Sequence, residues 1–401
     1  MVHLSRLFQR FVFILSATIF VALGLGLLAG SKGWFGVHAG TDQDGAYRQM
    51  GIYGEVLKKI QTDYVTEPNI GDVTNGALHG LLESLDADSS YLTPTEFKIY
   101  NERPASGEAQ IGITVSKRFG YATVVNVAPG SPADVEQLKD GDVVESIDGQ
   151  STRELSLAVI RLMLNGKPGS KVVLSVVRST KPDPDKVTVT RAVVALPALT
   201  TQSYENGSIL SIKPGALTAA RVDEIAAKVA AAPKGTKFLL DLRDVSGDDL
   251  EQGLRLANLF LKEGTMATLS GQQYPLKTFT ADPAKCISTA AVDVLVNRGT
   301  YGAPELAAAA LMELKRGDVV GERTFGEGSV QKTIGLANGS ALLLTVAKYQ
   351  TPNGKKIQDD AVTPNVAVGA QNDDEDEEAT PQPAKTGDEF LKTALGLLKS
   401  K

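Results

Sequence analysis

Residues Val294 to Gln331 read VLVNRGTYGAPELAAAALMELKRGDVVGERTFGEGSVQ. An apolar strand, Asp293 to Asn297, runs into a glycine turn. The turn opens an alanine-rich helix from about Pro304 to Lys315, and a second strand and a glycine-flanked loop follow. Strand, sharp turn and helix in this order present one side chain, or one row of backbone N–H groups, at the top of a sheet. Pro304 in the first turn, with Glu305 beside it, completes a well-formed helix start.

The same rhythm continues on both sides. Upstream, Ile209 to Ile212 reads as a strand, Ala219 to Ala232 as a helix, Lys237 to Leu242 as a buried strand and Leu250 to Lys262 as a helix. Downstream, Ala341 to Tyr349 is a strand, followed by Thr351 to Gln358 and Val362 to Val366. Such alternation predicts a partly parallel sheet with helices packed on it, here over residues 196–370. Residues 106–195 change to short strands bounded by turn signals, with one helix from Leu155 to Leu164. Residues 47–105 read as helices: Tyr53, Val56, Leu57, Ile60 and Tyr64 keep helical spacing, as do Val73, Ala77, Leu78, Leu81 and Leu82. The whole is an α/β multidomain chain.

The two ends differ in kind. Phe11 to Ala29 is a run of nineteen residues without a charge, behind Arg6 and Arg10. A secretory apolar region is usually about 7–15 residues and a membrane span about 17–25. Residues 1–30 are therefore expected to be a cytoplasmic end and signal anchor, with the membrane as partner of residues 11–29 and 31–46 as a linker. A cleaved signal peptide, ending near Val37-His38-Ala39, is the alternative. Residues 371–401 open on an acidic run, Asp373 to Glu378, which reads as a solvated linker. The run lacks the spaced acids and central glycine of a calcium loop. Glu389 to Lys399 then reads as a short amphipathic helix that docks on the core or on a partner.

Composition narrows the chemistry. The net charge of −6 gives no reason to expect nucleic-acid binding. One cysteine, Cys286, excludes an intramolecular disulfide. Only His3, His38 and His79 are present, which argues against a histidine-based triad or metal site. No metal and no cofactor are expected.

The opening stretch resembles the carboxy-terminal processing (tail-specific) serine peptidases, whose core reads N-G-G-S-A-S-A-S-E and then V-G-E-R-T-F-G-K-G-S-V-Q. Val320 to Gln331 agrees with the second pattern except at Glu327, which stands in the place of lysine. Asn297, Gly299, Ala303 and Glu305 agree with the first, but Gly302 stands in the place of the nucleophilic serine. Gly302 and Glu327 keep the family's separation of twenty-five positions. Leu240-Asp241-Leu242-Arg243 matches L-D-L-R, and Asp248 then occupies the position of a glycine that donates its N–H to the oxyanion. Ser84 to Pro94 is similar to S-L-D-P-H-S-S-Y-L-T-P, with Ala87 and Asp88 as departures. Its acids are read as caps and turn formers.

The resemblance implies a peptidase core whose catalytic positions are Gly302, Glu327, Gln331, Asp248 and Ala303, the last as an oxyanion N–H. A neutral lysine takes the serine proton in such a site. Gly302 cannot attack, so the chain is expected to be a catalytically degenerate member. The other reading is an active endopeptidase with a relocated nucleophile, Thr300 or Ser329. Residues 106–195 resemble a PDZ domain, a small β barrel with helices, through Gly130-Ser131-Pro132-Ala133, Asp140 to Val144 and Ile147-Asp148-Gly149. That implies capture of protein C-termini by strand addition. Ile111, Gly112 and Ile113 would cradle the carboxylate, and Leu157 and Ile160 would line the side-chain pocket. Gly112→Trp is expected to abolish binding. The expected place is the bacterial inner membrane, single-pass, with the bulk of the chain periplasmic. Homo-oligomers or an active homologue are further expected partners.

Overall fold

The computed structural model describes residues 41–102, 109–118, 120–178, 181–358, 360–368 and 388–401. The expected anchor and the acidic run lie outside them. Among the described residues no helix is long and apolar enough to cross a membrane. By internal contacts the chain divides after Thr74. The first unit holds α1 (Thr41–Asp63), whose Tyr47, Met50, Tyr53 and Val56 are exposed. Helix α2 (Ile70–Glu83) runs across the division.

The second unit continues with β1 (Ser90–Leu92) and α3 (Pro94–Glu102). Next come β2 (Ile113–Arg118), β3 (Tyr121–Val127), α4 (Pro132–Val135), β4 (Val143–Ile147) and β5 (Gln150–Ser151). Helix α5 (Leu157–Leu164), β6 (Lys171–Arg178) and β7 (Lys181–Thr190) complete a six-stranded antiparallel sheet ordered β2-β3-β4-β6-β7, with β5 on β4. Bridges Gln110–Ala192 and Ala109–Gly166 bring the flanks of this sheet together. Among the described residues β2 has a hydrogen-bonded neighbour on one side only.

The chain then enters the larger layer system. Its strands are β8 (Thr200–Tyr204), β9 (Ile209–Lys213), β10 (Lys237–Asp241), β11 (Ser246–Gly247), β12 (Thr265–Ser270), β13 (Lys277–Thr280), β14 (Val292–Val296) and β15 (Tyr301–Gly302). Strands β16 (Val319–Gly321), β17 (Ser329–Gly335), β18 (Ala341–Gln350) and β19 (Val366–Ala367) follow. Helices α6 (Ala219–Ala231), α7 (Leu250–Asn258), α8 (Ala303–Glu313) and α9 (Glu389–Ser400) pack around them. A six-stranded sheet ordered β19-β16-β14-β10-β9-β8 is parallel except at β8. Parallel strands covered on both faces read as continuous apolar runs. Accordingly, all five residues of Val292-Asp293-Val294-Leu295-Val296 are buried.

Helices α6, α7 and α8 cover one face of that sheet and α9 the other, where Ala394 and Leu398 sit on Ile209, Leu239, Leu295 and Val320. Ion pairs hold α9 at both ends: Asp388 with Arg243 at 2.7 Å, and Lys401 with Asp318 at 2.8 Å and with the wholly buried Asp293. Helix α8 is apolar all round and buried all round, as its four consecutive alanines predict. It meets α7 so closely that a Cβ at Gly253 would stand 1.8 Å from the carbonyl oxygen of Ala303.

Helix α5 joins the two parts. Its Leu157, Ile160 and Leu164 enter the core of the small sheet, while Ala158 and Val159 pack on Leu92, Leu343 and Phe97 of the larger part.

Candidate active site

Strands β11 and β15 pair in parallel, Ser246 with Tyr301 and Gly247 with Gly302. This lays the segment carrying Asp248 beside the turn that opens α8. Gly302 has φ 73° and ψ −120°, a strained elbow that glycine adopts without steric cost. A Cβ built there would lie 2.4 Å from the carbonyl oxygen of Gly247, so the elbow has no room for a side chain unless β11 moves. Ala303 is wholly buried in the first turn of α8. Asp248 is exposed and lies near enough to Arg161 and Tyr301 for its charge to act on both.

Glu305 ties the elbow to the following loop. One of its oxygens accepts the N–H of Gly302 at 2.9 Å and of Glu327 at 2.8 Å; the other accepts the N–H of Gly326 at 2.7 Å and the hydroxyl of Thr324. Glycine at the N-cap offers no side chain, so only the Glu305 half of a capping box exists here. Complete burial pushes the Glu305 carboxyl up to about 7, and its four donors pull the other way.

Glu327 sits at the lysine position and is 9% exposed. The Tyr301 hydroxyl lies 3.2 Å from its Oε2, and the Ser329 hydroxyl 2.8 Å from its Oε1. Burial, with Asp88 as the next cause, raises this carboxyl to about 8, so it is largely protonated at neutral pH. Tyr301 is itself buried, its ring against Phe325 at 5.2 Å, and burial followed by Glu327 raises its phenol well above the usual value. In the pattern quoted above, alanine stands at this position. The tyrosine ring and the glutamate therefore fill the site together.

Arg161 of α5 reaches into the same place. Its Nη2 lies 3.4 Å from the Tyr301 hydroxyl, 3.5 Å from the Val115 carbonyl of β2 and 3.9 Å from Asp88 Oδ1. Gln358 holds the other Asp88 oxygen at 3.0 Å, and its own Oε1 accepts the Gly328 N–H at 2.9 Å. Asp86 accepts the N–H groups of Asp88 and Ser89, the turn role expected of it. Among the described residues no group of His, Cys, Asp and Glu is arranged to hold a metal.

Several expected residues stand elsewhere than the sequence suggested. Gln331 is exposed, at a register shift where the partner strand β18 carries the extra residue, Val346; Ser329 and Tyr301 contact Glu327 instead. Thr300 is wholly buried, donating to the Leu242 carbonyl at 2.9 Å and accepting the Asn297 N–H at 3.0 Å, so its hydroxyl is consumed in the turn. Leu157 and Ile160 are 1% and 0% exposed, core rather than open pocket in this structure. In the loop before β2, the Ile111 and Gly112 carbonyls accept from Ala133 and Ala128, and Ile113 packs at the edge of the core. Gly112 has φ 86°, and a Cβ there would meet the Ser131 Cβ at 2.2 Å. A tryptophan at 112 would thus break the loop itself, not merely block it.

Reading the sequence did not single out Tyr301 or Arg161. The first was legible as a departure from the quoted pattern. The second was one charge in an apolar helix, with nothing local to show what it faces.

Against known proteins, the family model described as Peptidase family S41 matches residues 199–368, and the one described as PDZ domain matches 109–190. A carboxy-terminal-processing protease of Bartonella bacilliformis is 27% identical over 334 residues, 82% of this chain and 77% of that protein. The carboxy-terminal processing protease CtpA of Bacillus subtilis is 27% identical over 360 residues, 89% of this chain and 76% of that protein. Among solved structures, a photosystem II D1 C-terminal processing protease superposes with a TM-score of 0.66 at 24% identity. That match covers 80% of this chain and 93% of the other, and it shows a shared fold.

Proposed function

Because the chain belongs to the carboxy-terminal processing peptidases of family S41, with a PDZ domain, we propose that it binds protein C-termini through that domain and has lost proteolysis. The observation that carries this reading is the elbow at residue 302. It bears no nucleophile, and a Cβ there would lie 2.4 Å from a backbone oxygen. The base position agrees with it. A buried, largely protonated carboxyl that accepts from two hydroxyls is a poor substitute for a lysine that must take a serine proton.

The ligand is an extended peptide added to the free edge of β2, its terminal carboxylate held at Ile111 to Ile113. The two loop carbonyls bonded toward Ala128 and Ala133 support this orientation. Residues 11–29 anchor the chain in the bacterial inner membrane, with the bulk periplasmic. A regulatory partnership with an active homologue, or a homo-oligomer, would put such binding to use.

A second reading keeps activity with Ser329 as nucleophile, favoured by the 2.8 Å contact to Glu327. Thr300 no longer competes for that role, since its hydroxyl is buried and bonded on both sides. The binding reading is tested by titrating the detergent-solubilised full chain with a disordered protein ending in apolar residues, as the free acid and as the C-terminal amide. The acid should bind and the amide should lose at least about tenfold in affinity, the worth of one charge-assisted contact. Equal affinities would contradict a carboxylate cradle.

A further inference from the structure

We propose that His79, Glu83 and Lys117 form a pH-sensitive clasp that holds the end of α2 against the small sheet at neutral pH and lets it go in acid. His79 lies on α2, its ring nearly perpendicular to that of Tyr91 of β1, with 5.4 Å between centroids. Its Nδ1 is shut away from solvent and meets no hydrogen-bond partner among the described residues. A neutral ring carrying its proton on Nε2 leaves only a lone pair there. An imidazolium has a donor at both nitrogens, so its Nδ1–H would be buried without an acceptor.

The charged groups that act on His79 are Glu96 of α3, Glu83 of α2 itself and Lys117 of β2. Both acids are engaged elsewhere. Glu96 accepts the Thr93 N–H at 2.7 Å in the cap of α3. Glu83, one turn on along the same face of α2, pairs with Lys117. The Lys117 side chain is only 5% exposed, and its ammonium also donates to the carbonyls of Leu155 at 2.7 Å and Arg153 at 3.2 Å. One nearly buried cation thus ties α2, β2 and the segment leading into α5 together, and it depends on Glu83 for its counter-charge. Burial holds the His79 ring below its ordinary 6.5; the two acids oppose that and Lys117 adds to it. The neutral ring therefore belongs to the folded seat. The clasp has its full strength above about 6.5 and loses it as pH falls through the lower native value. Once charged, His79 either takes Glu83 and strands Lys117, or leaves its place beside Tyr91. Both routes loosen the same helix.

The test is amide hydrogen exchange on the full chain in detergent at about pH 7.5 and about pH 5.5, each segment's protection taken relative to its free-peptide rate at that pH. One pH unit below 6.5, proton binding favours the open helix by at most about tenfold, so residues 76–83 should lose roughly fivefold in protection. Residues 292–296, in the main sheet, should keep theirs. His79→Phe leaves an aromatic ring against Tyr91 without a titratable nitrogen and should cut the acid effect to less than about twofold. Glu83→Gln should expose the same segment at both pH values, because it takes the counter-charge from Lys117. Equal protection of residues 76–83 at the two pH values in the native chain would overturn the clasp. An acid effect of the same size in His79→Phe would also overturn it, by placing the titrating group elsewhere. The ring proton resonance of His79 gives a reading that needs no variant. It should titrate below about 6.5 and in step with the loss of protection, and a midpoint at or above that value would overturn the proposal.

Discussion

Two substitutions that look independent in the sequence meet in space. Glu327 stands where the family pattern has lysine and Tyr301 where it has alanine; the phenol hydroxyl lies 3.2 Å from the carboxyl. Their coupling spans twenty-six positions of sequence, and no local pattern reveals it. The burial of Glu327 has a consequence for stability. Its native pKa of about 8 exceeds the ordinary 4.5, so between those values the folded chain binds more proton than the unfolded one. Stability contributed by this group is therefore greatest below about 4.5 and falls as pH rises toward 8; Glu305 adds a fall between 4.5 and about 7. Glu327→Gln should remove part of that decline, on the order of a few kcal/mol between pH 5 and pH 9. Urea unfolding at the two pH values measures it, and an unchanged decline would show that Glu327 is not the group responsible.

The elements were legible where burial imposes a period. Parallel strands such as β14 read as apolar runs and α8 as an alanine block, and both lie within two residues of the expected spans. What periodicity cannot show is which surface an apolar face meets. Leu157, Ala158, Val159 and Ile160 are apolar on every side of α5 because the helix is gripped by two cores. The pocket expected at Leu157 and Ile160 is an implication of the PDZ resemblance, and in this structure both side chains lie in the core of the small sheet. Helix α9 is the same lesson at the other end of the chain. It is the second face of the main sheet, so removing it bares Ile209, Leu239, Leu295 and Val320. At about 1.5–3 kcal/mol per large apolar side chain, deletion of residues 388–401 should cost more than about 5 kcal/mol. Thermal unfolding should then drop by more than about 10 °C. An unchanged midpoint would mean that α9 is dispensable for the fold.

Taken as a molecule, the chain keeps the scaffold of a peptidase around a site filled by its own side chains. The family pattern marks the positions that differ, while the way Tyr301, Glu327 and Arg161 come together there is set by the fold. Restoring Gly302→Ser and Glu327→Lys would place a side chain against the Gly247 carbonyl and a second cation near Arg161. The double variant alone should therefore stay inactive, and Tyr301→Ala with Asp248→Gly is needed to reopen the site. The measurement to make is mass spectrometry of a disordered protein ending in apolar residues after long incubation with the full chain. The native sequence should leave it intact, and the fourfold variant should cleave it. Cleavage by the native sequence that disappears in Ser329→Ala would contradict the loss of proteolysis and identify Ser329 as the working nucleophile.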